Sequence, residues 1–499
     1  MDPRTLSSKL AAAAFSRRLT RVWTIAGACF IFAFLLLHLY SPFSYNFYHD
    51  PQRLHVAVFA TSGNYHLCQL HLSAALMGFP APVFINWGEA EDQDEMKQHL
   101  AKIEGALSYL DSIPAHHQDD LVFMLDGFDV WFQLPHRYII SRYHDYVAKS
   151  HQHLTAHFGE ELVAKHNIRN TVVFGPDKSC APAGIDHASC WAIPESWMPP
   201  LSFGPDTDHG RAMHNRPRWL NSGTVIGPAR ELRDVFQRAL DQNRDHHVTD
   251  SDQFYFSHVF GVQSYARRLL KLERDRARGC DVAGDEEFLR PKNIDKKKKA
   301  IPEIDGRTEY FIGLDWSSDM FQTAGFYADY ITWIRHNETS QYPQSLDTHP
   351  PANPYHHFTL PAELATTGPD TDHHLDLRAI DPALASWQTL PLATNTASRT
   401  VPPVMHINGK KGYRLLWWPR NWFYPFIEPM LAALRAKGVH TNASGGERDA
   451  LAGAWTFLNG EYGWEDWDGL CAVHEEQLIG RQDRKKIDEK EKQLKEEEE

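Results

Sequence analysis

From Leu54 onward, apolar segments of β-strand length alternate with segments of helical spacing, and this alternation limits the folds open to the chain. Unlike strands with one face in water, the strand candidates are apolar through nearly all their length. They lie at 55–60, 82–85, 120–125, 171–174, 219–226, 310–315 and 404–406. Helical spacing is found at 65–77, 95–110 and 231–243. The sequence therefore predicts an α/β fold in which helices cover a parallel sheet.

The first 40 residues have the features of a membrane anchor. Residues 1–21 hold five basic residues and one acidic residue, and residues 22–40 form an uncharged, largely apolar run. As a helix this run spans roughly 28 Å, about one bilayer core. It is longer than the apolar part of a cleavable signal peptide and ends in bulky residues. We therefore predict a cytosolic tail, an uncleaved anchor and a short stem at 41–53, with all later residues luminal or extracellular.

The remaining chain is expected to form one large domain with additions. We place this domain at 54–435, with a basic loop inserted at about 267–300. A second insertion at about 337–403 is rich in Pro, Thr and His and lacks a regular apolar period, which is typical of a long surface loop. A C-terminal extension at 436–480 follows. The last segment, 481–499, alternates Lys, Glu and Asp and is predicted to be an exposed charged tail.

Charge and cysteine content limit the partners and the compartment. The net charge of −13 argues against a nucleic-acid binder, because phosphate neutralisation requires a basic surface. Five cysteines follow the anchor, so at most two intramolecular disulfides can form. Cys180 and Cys190 are close in sequence and are the favoured pair. Two N-glycosylation sequons, at Asn337 and Asn442, are usable only if the chain is luminal.

Two carboxylates, Asp126 and Asp129, directly follow the strand candidate at 120–125. Carboxylates three residues apart at a strand end can both turn toward one divalent cation, and Mg²⁺ and Mn²⁺ prefer such oxygen ligands. In open α/β sheets, the ligand crevice lies at the carboxyl ends of the strands. The alternative is an ordinary turn or capping role, since Asp is common in loops.

A second polar group combines Asn221 and Ser222 with the downstream residues Asp250, Asp252 and Gln253. The Asn–Ser pair before a glycine suits either a contact with sugar hydroxyls or a tight turn. Asp252 could orient a hydroxyl or stabilise a developing positive charge. The two aspartates could instead cap the amino terminus of the following helix.

A third group follows the strand candidate at 404–406. His406 offers a neutral imidazole, which is a good third ligand for Mn²⁺. Lys410 and Lys411 could neutralise a diphosphate. By itself the group is a weak signal, because a single histidine is more often structural.

The order of these motifs resembles the glycosyltransferase domain of the procollagen lysyl hydroxylases and the related collagen-type hydroxylysine glycosyltransferases. The resemblance runs from about Leu54 to Gly409 and is interrupted by the two insertions. Its individual segments are short, and their shared order makes the match specific. The matching segments are Ala60–Thr61, Asp126–Asp129, Val172–Phe174 with Cys180, Arg218–Gly227, Ser251–Tyr255, Ile312–Asp315 with Phe321–Gln322, and Val404–Gly409.

This resemblance implies a GT-A fold with a mixed, mostly parallel sheet, a UDP-sugar donor and Mn²⁺. The metal ligands would be Asp126, Asp129 and His406. The residues near the nucleotide and its diphosphate would be Ala60, Thr61, Phe128, Asn408, Gly409 and Lys410. The residues facing the sugar and the catalytic centre would be Asn221, Asp252 and Gln253.

The chain departs from the family pattern at two places. Ser251 precedes Asp252 where the family has a run of acidic residues, so an acid that the family uses is missing unless Asp250 replaces it. The family's Cys-Trp-Pro is split here into Cys180-Ala-Pro182 and, ten residues further on, Cys190-Trp191. These changes bear on the donor sugar and the acceptor more than on the fold.

We therefore expect a Mn²⁺-dependent type II membrane glycosyltransferase of the Golgi or endoplasmic reticulum. It would transfer a hexose from a UDP-sugar to a protein or glycan hydroxyl with retention of configuration. One alternative is a GT-A-like protein that binds a sugar nucleotide or glycan without catalysis, and another is a transferase for cell-wall or lipid glycans. The residues His374, Asp376, His406 and Arg414 resemble the iron ligands and the carboxylate-binding arginine of a 2-oxoglutarate-dependent iron oxygenase. However, the distance in sequence from His374 to His406 is short for the β-barrel of such an enzyme.

Overall fold

The computed structural model describes residues 53–89, 95–249, 251–289, 301–337 without 303 and 305, 360–369, 376–437 and 450–480, and the isolated positions 489, 492 and 493. The predicted cytosolic tail and anchor, nearly all of the stem and most of the charged tail lie outside the described residues. So do Asp250, His374 and the sequon at Asn442. Among the described residues, no helix combines the length and the apolar character needed to cross a bilayer.

The strands of the described part reproduce every strand predicted from the sequence and add six more. They are β1 (Leu54–Phe59), β2 (Val83–Ile85), β3 (Leu121–Asp126), β4 (Val130–Phe132), β5 (Val172–Asp177), β6 (Trp219–Pro228), β7 (Ile312–Leu314), β8 (Phe321–Thr323), β9 (Ile331–Ile334), β10 (Leu392–Asn395), β11 (Val404–His406), β12 (Gly453–Leu458) and β13 (Glu461–Asp466).

The α-helices of the described part include the three that were predicted. They are α1 (Tyr65–Leu76), α2 (Glu95–Ser112), α3 (His136–Phe158), α4 (Glu160–His166), α5 (Ala188–Trp191), α6 (Ala229–Asp245), α7 (Asp252–Ala277), α8 (Ala283–Leu289), α9 (Ala362–Ala365), α10 (Gly412–Trp417), α11 (Ile427–Lys437) and α12 (Trp467–Ile479). Asn64 caps α1, because its side chain accepts hydrogen bonds from the first-turn amides of His66 and Leu67.

Eight strands form the main sheet in the order β13-β12-β2-β1-β3-β6-β5-β7. The pairs β12–β2, β2–β1, β1–β3 and β5–β7 are parallel, and the other three are antiparallel. The central strand β3 is fully buried from Leu121 to Leu125, which explains its continuous apolar sequence. The predicted α/β architecture, a large and mostly parallel sheet flanked by helices, is confirmed.

A second sheet of three strands, β4-β11-β8, stands at the end of β3. Strand β11 pairs antiparallel with β4 and parallel with β8, so that His406 lies opposite Val130 on one side and Thr323 on the other. This pairing joins two parts of the chain that are almost 280 residues apart. Strands β9 and β10 form a separate antiparallel ribbon.

The expected loop insertion at 267–300 is wrong for its first part. Residues 267–277 continue α7, and residues 283–289 form α8. The charged residues that suggested a solvated loop are paired: Lys271 Nζ contacts Asp275 Oδ2 at 2.8 Å and Asp285 Oδ2 at 2.7 Å. Arg267 is buried and donates to both carboxylate oxygens of Glu309. These helices are held by charge pairs, so their sequence lacks the apolar period from which a helix is predicted.

The expected surface loop at 337–403 is also wrong for its last part. Leu377, Leu384 and Trp387 are fully buried, and β10 pairs with β9. The apolar residues of this segment lie in short 3-10 turns, whose spacing differs from that of an α-helix or a strand. For that reason the sequence pattern did not reveal that the segment belongs to the core.

Two disulfides are present in the described residues. The predicted pair Cys180–Cys190 is confirmed, and a second joins Cys68 in α1 to Cys471 in α12 across 403 residues. The second bond fastens the segment 450–480, whose hairpin β12–β13 extends the main sheet beside β2. Cys280 is exposed and free.

Candidate metal centre

The two aspartates of the first motif lie in the turn between β3 and β4. Asp126 ends β3, and Asp129 immediately precedes β4. The turn passes close to β1, since a Cβ atom on Gly127 would lie 2.5 Å from the carbonyl oxygen of Phe59. Asp129 is buried, and its carbonyl oxygen accepts a 2.7 Å hydrogen bond from the amide of Ile407. This bond fixes the turn against β11.

His406 completes a compact group with the two aspartates. Its Nε2 lies 3.8 Å from Oδ2 of Asp126 and 3.6 Å from Oδ2 of Asp129. One ligand atom from each residue lies within 4.8 Å of the other two. The structure thus brings together the three residues that the resemblance implied as metal ligands.

Two observations fit this Asp–Asp–His group to a divalent cation. The ligand atoms are two carboxylate oxygens and an imidazole nitrogen, a set that suits Mn²⁺ and similar ions. Space is kept open beside them, because a Cβ atom on Gly223 would overlap the His406 ring and come within 2.8 Å of Asp126 Oδ2.

Two lysines neutralise the carboxylates. Lys102 in α2 reaches Asp126 with an Nζ–Oδ1 distance of 2.5 Å, and Lys411 pairs with Oδ2 of Asp129. Burial favours the neutral acids, but the charge of Lys102 outweighs it and lowers the pKa of Asp126. Burial also raises the pKa of Asp129, but the neighbouring His406 and Lys411 outweigh this effect and lower it. Both carboxylates are therefore ionised at neutral pH.

Lys102 was missed by the sequence analysis. Burial disfavours its ammonium form, but the neighbouring carboxylates of Asp126 and Asp252 outweigh that effect and raise its pKa. It lies in a helix with several other charged residues, and nothing in the local pattern distinguishes it from a surface lysine. Only the three-dimensional packing of α2, which directs the Lys102 side chain to Asp126 at the end of β3, shows its position.

The second motif surrounds the same edge of the sheet. The side chain of Asn221 accepts from the amide of Gly223 at 3.1 Å and donates to Asp177 Oδ2 at 3.4 Å. Gln253 Oε1 accepts from the amide of Ser222 at 3.3 Å, and its Nε2 donates to the carbonyl of Ala181 at 2.7 Å. Gln253 thus links the strand β6 to the disulfide-closed loop that begins at Cys180.

Asp252 is the first residue of α7 and is buried. The cap position belongs to Ser251, so the capping role considered for Asp252 is not the one observed. Burial raises the pKa of Asp252, Lys102 opposes this, and the negative charge of Asp126 adds to it. These interactions place Asp252 in the electrostatic environment of the Asp–Asp–His group.

Asp177 is a second residue that the sequence analysis missed. It ends β5 and is buried, and burial raises the pKa of its carboxyl group to about 6. The strand prediction ended at residue 174, three residues before Asp177. A longer strand would have placed this carboxylate at the same edge as Asn221, which lies opposite Gly175 in the adjacent strand.

The residues implied as contacts for the nucleotide and the diphosphate lie in the connections around this edge. Ala60 follows β1 and donates its amide to Ile85 at 3.2 Å, while the carbonyl of Thr61 accepts from Gly88 at 2.8 Å. Phe128 is half-buried in the turn between the two aspartates, and its carbonyl oxygen accepts from Arg414.

The third motif forms the connection after β11. Asn408 Oδ1 accepts from the amide of Gly325 at 2.7 Å, and Gly409 has a φ of 74°, a left-handed conformation that favours glycine. Between the two candidate lysines, Lys411 pairs with Asp129, and Lys410 is half-buried beside it. The connection therefore brings positive charge to the site.

No known protein family matches the chain, and no curated protein matches it either.

Proposed function

We propose that this chain is a metal-dependent glycosyltransferase with a GT-A fold that transfers a hexose from a UDP-sugar. Mn²⁺ is the proposed cation, and a protein or glycan hydroxyl is the proposed acceptor. The proposal rests mainly on one observation, the grouping of Asp126, Asp129 and His406 at the carboxyl end of β3. The parallel centre of the sheet supports it, because such sheets bind ligands at this edge.

The charges around the group suit a nucleoside diphosphate. When bound, a divalent cation there would stabilise the negative charge that develops on a diphosphate leaving group. In this proposal Asp126, Asp129 and His406 hold the cation. Lys102 and Lys411 now neutralise the two carboxylates, and they would become available to the phosphate oxygens when a cation takes over that role.

The polar residues beside the group suit a sugar. Asn221, Asp177 and Gln253 present amide and carboxyl groups at one edge of the sheet, where they can orient hydroxyl groups. Asp252 is the residue we propose for stabilising a positively charged sugar in the transition state. A retaining transfer is proposed, with the acceptor hydroxyl attacking from the face that the diphosphate leaves.

A luminal, membrane-anchored location is part of the proposal. The basic residues 1–21 and the apolar run 22–40 support a type II anchor in the Golgi or endoplasmic reticulum. The disulfides Cys68–Cys471 and Cys180–Cys190 support an oxidising compartment, since such bonds rarely persist in the cytosol.

The direct test is the release of UDP from a panel of UDP-hexoses by the full chain in detergent. The proposal predicts release from at least one donor with Mn²⁺ and none with EDTA, and product NMR should show retained configuration. A chain that binds a UDP-sugar in the presence of Mn²⁺ but never releases UDP, even with protein and glycan acceptors, would instead be a noncatalytic binder. If the chain binds no UDP-sugar at all, both the proposed glycosyltransferase and the noncatalytic binder are contradicted.

A further inference from the structure

A groove of about 940 Å³ shares no lining residue with the Asp–Asp–His group. It lies between strand β9, the turn at Asp381 and the segment 419–429. Three half-buried aromatic side chains line it, namely Trp333, Tyr424 and Phe426. Its volume is at the upper end of the range for ligand pockets, roughly 300–1,000 Å³.

The aromatic walls are held in place before any ligand binds. The Arg420 guanidinium lies 5.3 Å from the centre of the Trp333 ring, and Trp417 packs edge-on against that ring at 5.6 Å. The hydroxyl of Tyr424 donates to the carbonyl of Gly480. Fixed aromatic surfaces lower the entropy lost on binding.

The charges of the groove are balanced. Arg335 and Arg420 supply two positive groups, and Asp381 and Glu428 supply two negative groups. A strongly charged polymer of either sign would meet both attraction and repulsion. The balance therefore favours a ligand that is polar but uncharged.

We propose that this groove binds a neutral oligosaccharide. Sugars present apolar C–H faces that pack on aromatic rings, and hydroxyl groups that donate to carboxylates and accept from guanidinium groups. A proline-rich peptide also favours aromatic grooves. However, proline has no N–H group, so such a peptide would offer no donor to the exposed carboxylate of Glu428, whereas Asp381 already accepts a hydrogen bond from the amide of Ala383.

Glycan binding by the full chain tests this proposal. The probes are maltohexaose, mannohexaose and chitohexaose, with decaproline as the peptide comparison, and ligand-observed NMR titration gives the affinities. At least one hexaose should bind, and Trp333→Ala should weaken it at least tenfold. Glu428→Ala, at an exposed position, should weaken it about fivefold without disturbing the fold. Trp464→Ala, in the hairpin β12–β13, is the matched control and should leave the affinity unchanged.

The experiment also separates this groove from the proposed catalytic site. Hexaose binding should persist in EDTA and should not be displaced by excess UDP with Mn²⁺, so it can succeed where the proposed function fails. The proposal is overturned if no hexaose binds, if only decaproline binds, if UDP competes, or if Trp464→Ala weakens binding as much as Trp333→Ala.

Discussion

The ammonium group of Lys102 lies 2.5 Å from Asp126 Oδ1, in a site that also contains Asp129 and His406. Lys102 and Asp126 are both half-buried, so removing Lys102 leaves the carboxylate of Asp126 partly desolvated and without its nearest counter-charge. A bound cation would compensate that charge. Lys102 therefore acts in this structure as an internal counter-ion of Asp126, and it would compete electrostatically with a cation at the proposed metal site.

Lys102→Met should bind Mn²⁺ about tenfold more tightly, because the competing ammonium group is gone. In EDTA the same variant should unfold at a lower temperature than the wild type, since Asp126 and Asp129 then repel each other. Calorimetric titration and thermal unfolding measure the two effects. Lys149→Met, at an exposed lysine of α3, is the control. Equal Mn²⁺ affinity in both variants would show that Lys102 does not compete for the site.

Gly223→Ala should lower both Mn²⁺ affinity and turnover by about a hundredfold. The added methyl group would overlap the His406 ring and approach Asp126 Oδ2 to 2.8 Å. Gly284→Ala in α8 is the matched control, because a Cβ there has no neighbour within 4 Å, and alanine is the better helix former. If Gly223→Ala keeps wild-type Mn²⁺ affinity, the space beside His406 is not needed for a cation.

Removing the disulfide Cys68–Cys471 should destabilise the chain more than removing Cys180–Cys190. The first bond closes a loop of 403 residues and the second a loop of ten, and longer loops restrict the unfolded chain more. Typical losses are about 2–4 kcal/mol. Urea unfolding of the two double Cys→Ala variants compares them. A larger loss for the Cys180–Cys190 variant would contradict this reasoning.

Asp177→Asn should change how stability depends on pH. Burial raises the pKa of Asp177 to about 6, above its unfolded value near 4. The folded chain therefore binds the extra proton in this range, and the contribution of Asp177 to stability falls as pH rises from about 4 to 6. The variant avoids this loss of stability, which amounts to about 3 kcal/mol for the whole rise in the pKa of Asp177.

Urea unfolding at pH 4 and pH 7 measures this effect. The stability of Asp177→Asn relative to the wild type should be greater at pH 7 than at pH 4. Asp145→Asn, at an exposed position of α3, should show no such difference. Parallel pH profiles for the wild type and Asp177→Asn would show that Asp177 is not the group responsible.

The fold was predictable where its signals are local. Buried strands such as β1 and β3 are continuous apolar runs, and Asp126 and Asp129 follow one of them directly. The position of His406 depends on pairing between β11 and β4. Its own motif was a weak signal, and only the resemblance grouped it with the two aspartates. Lys102 lies at the site because of how α2 packs, and Asp177 because β5 is longer than predicted. Neither cause is visible in a short sequence motif. The error at 267–277 arose because charge pairs, rather than an apolar period, accompany the end of α7. The error at 376–403 arose because its buried apolar residues lie largely in short 3-10 turns.

We propose that Asp126, Asp129 and His406 hold a cation required for sugar transfer. The most direct measurement compares Mn²⁺-dependent UDP release by the wild type, Asp129→Asn and the control Asp145→Asn, each checked for folding by circular dichroism. We expect activity in the wild type and the control, and a loss of at least a hundredfold in Asp129→Asn that added Mn²⁺ does not restore. Wild-type activity in a folded Asp129→Asn variant would contradict it.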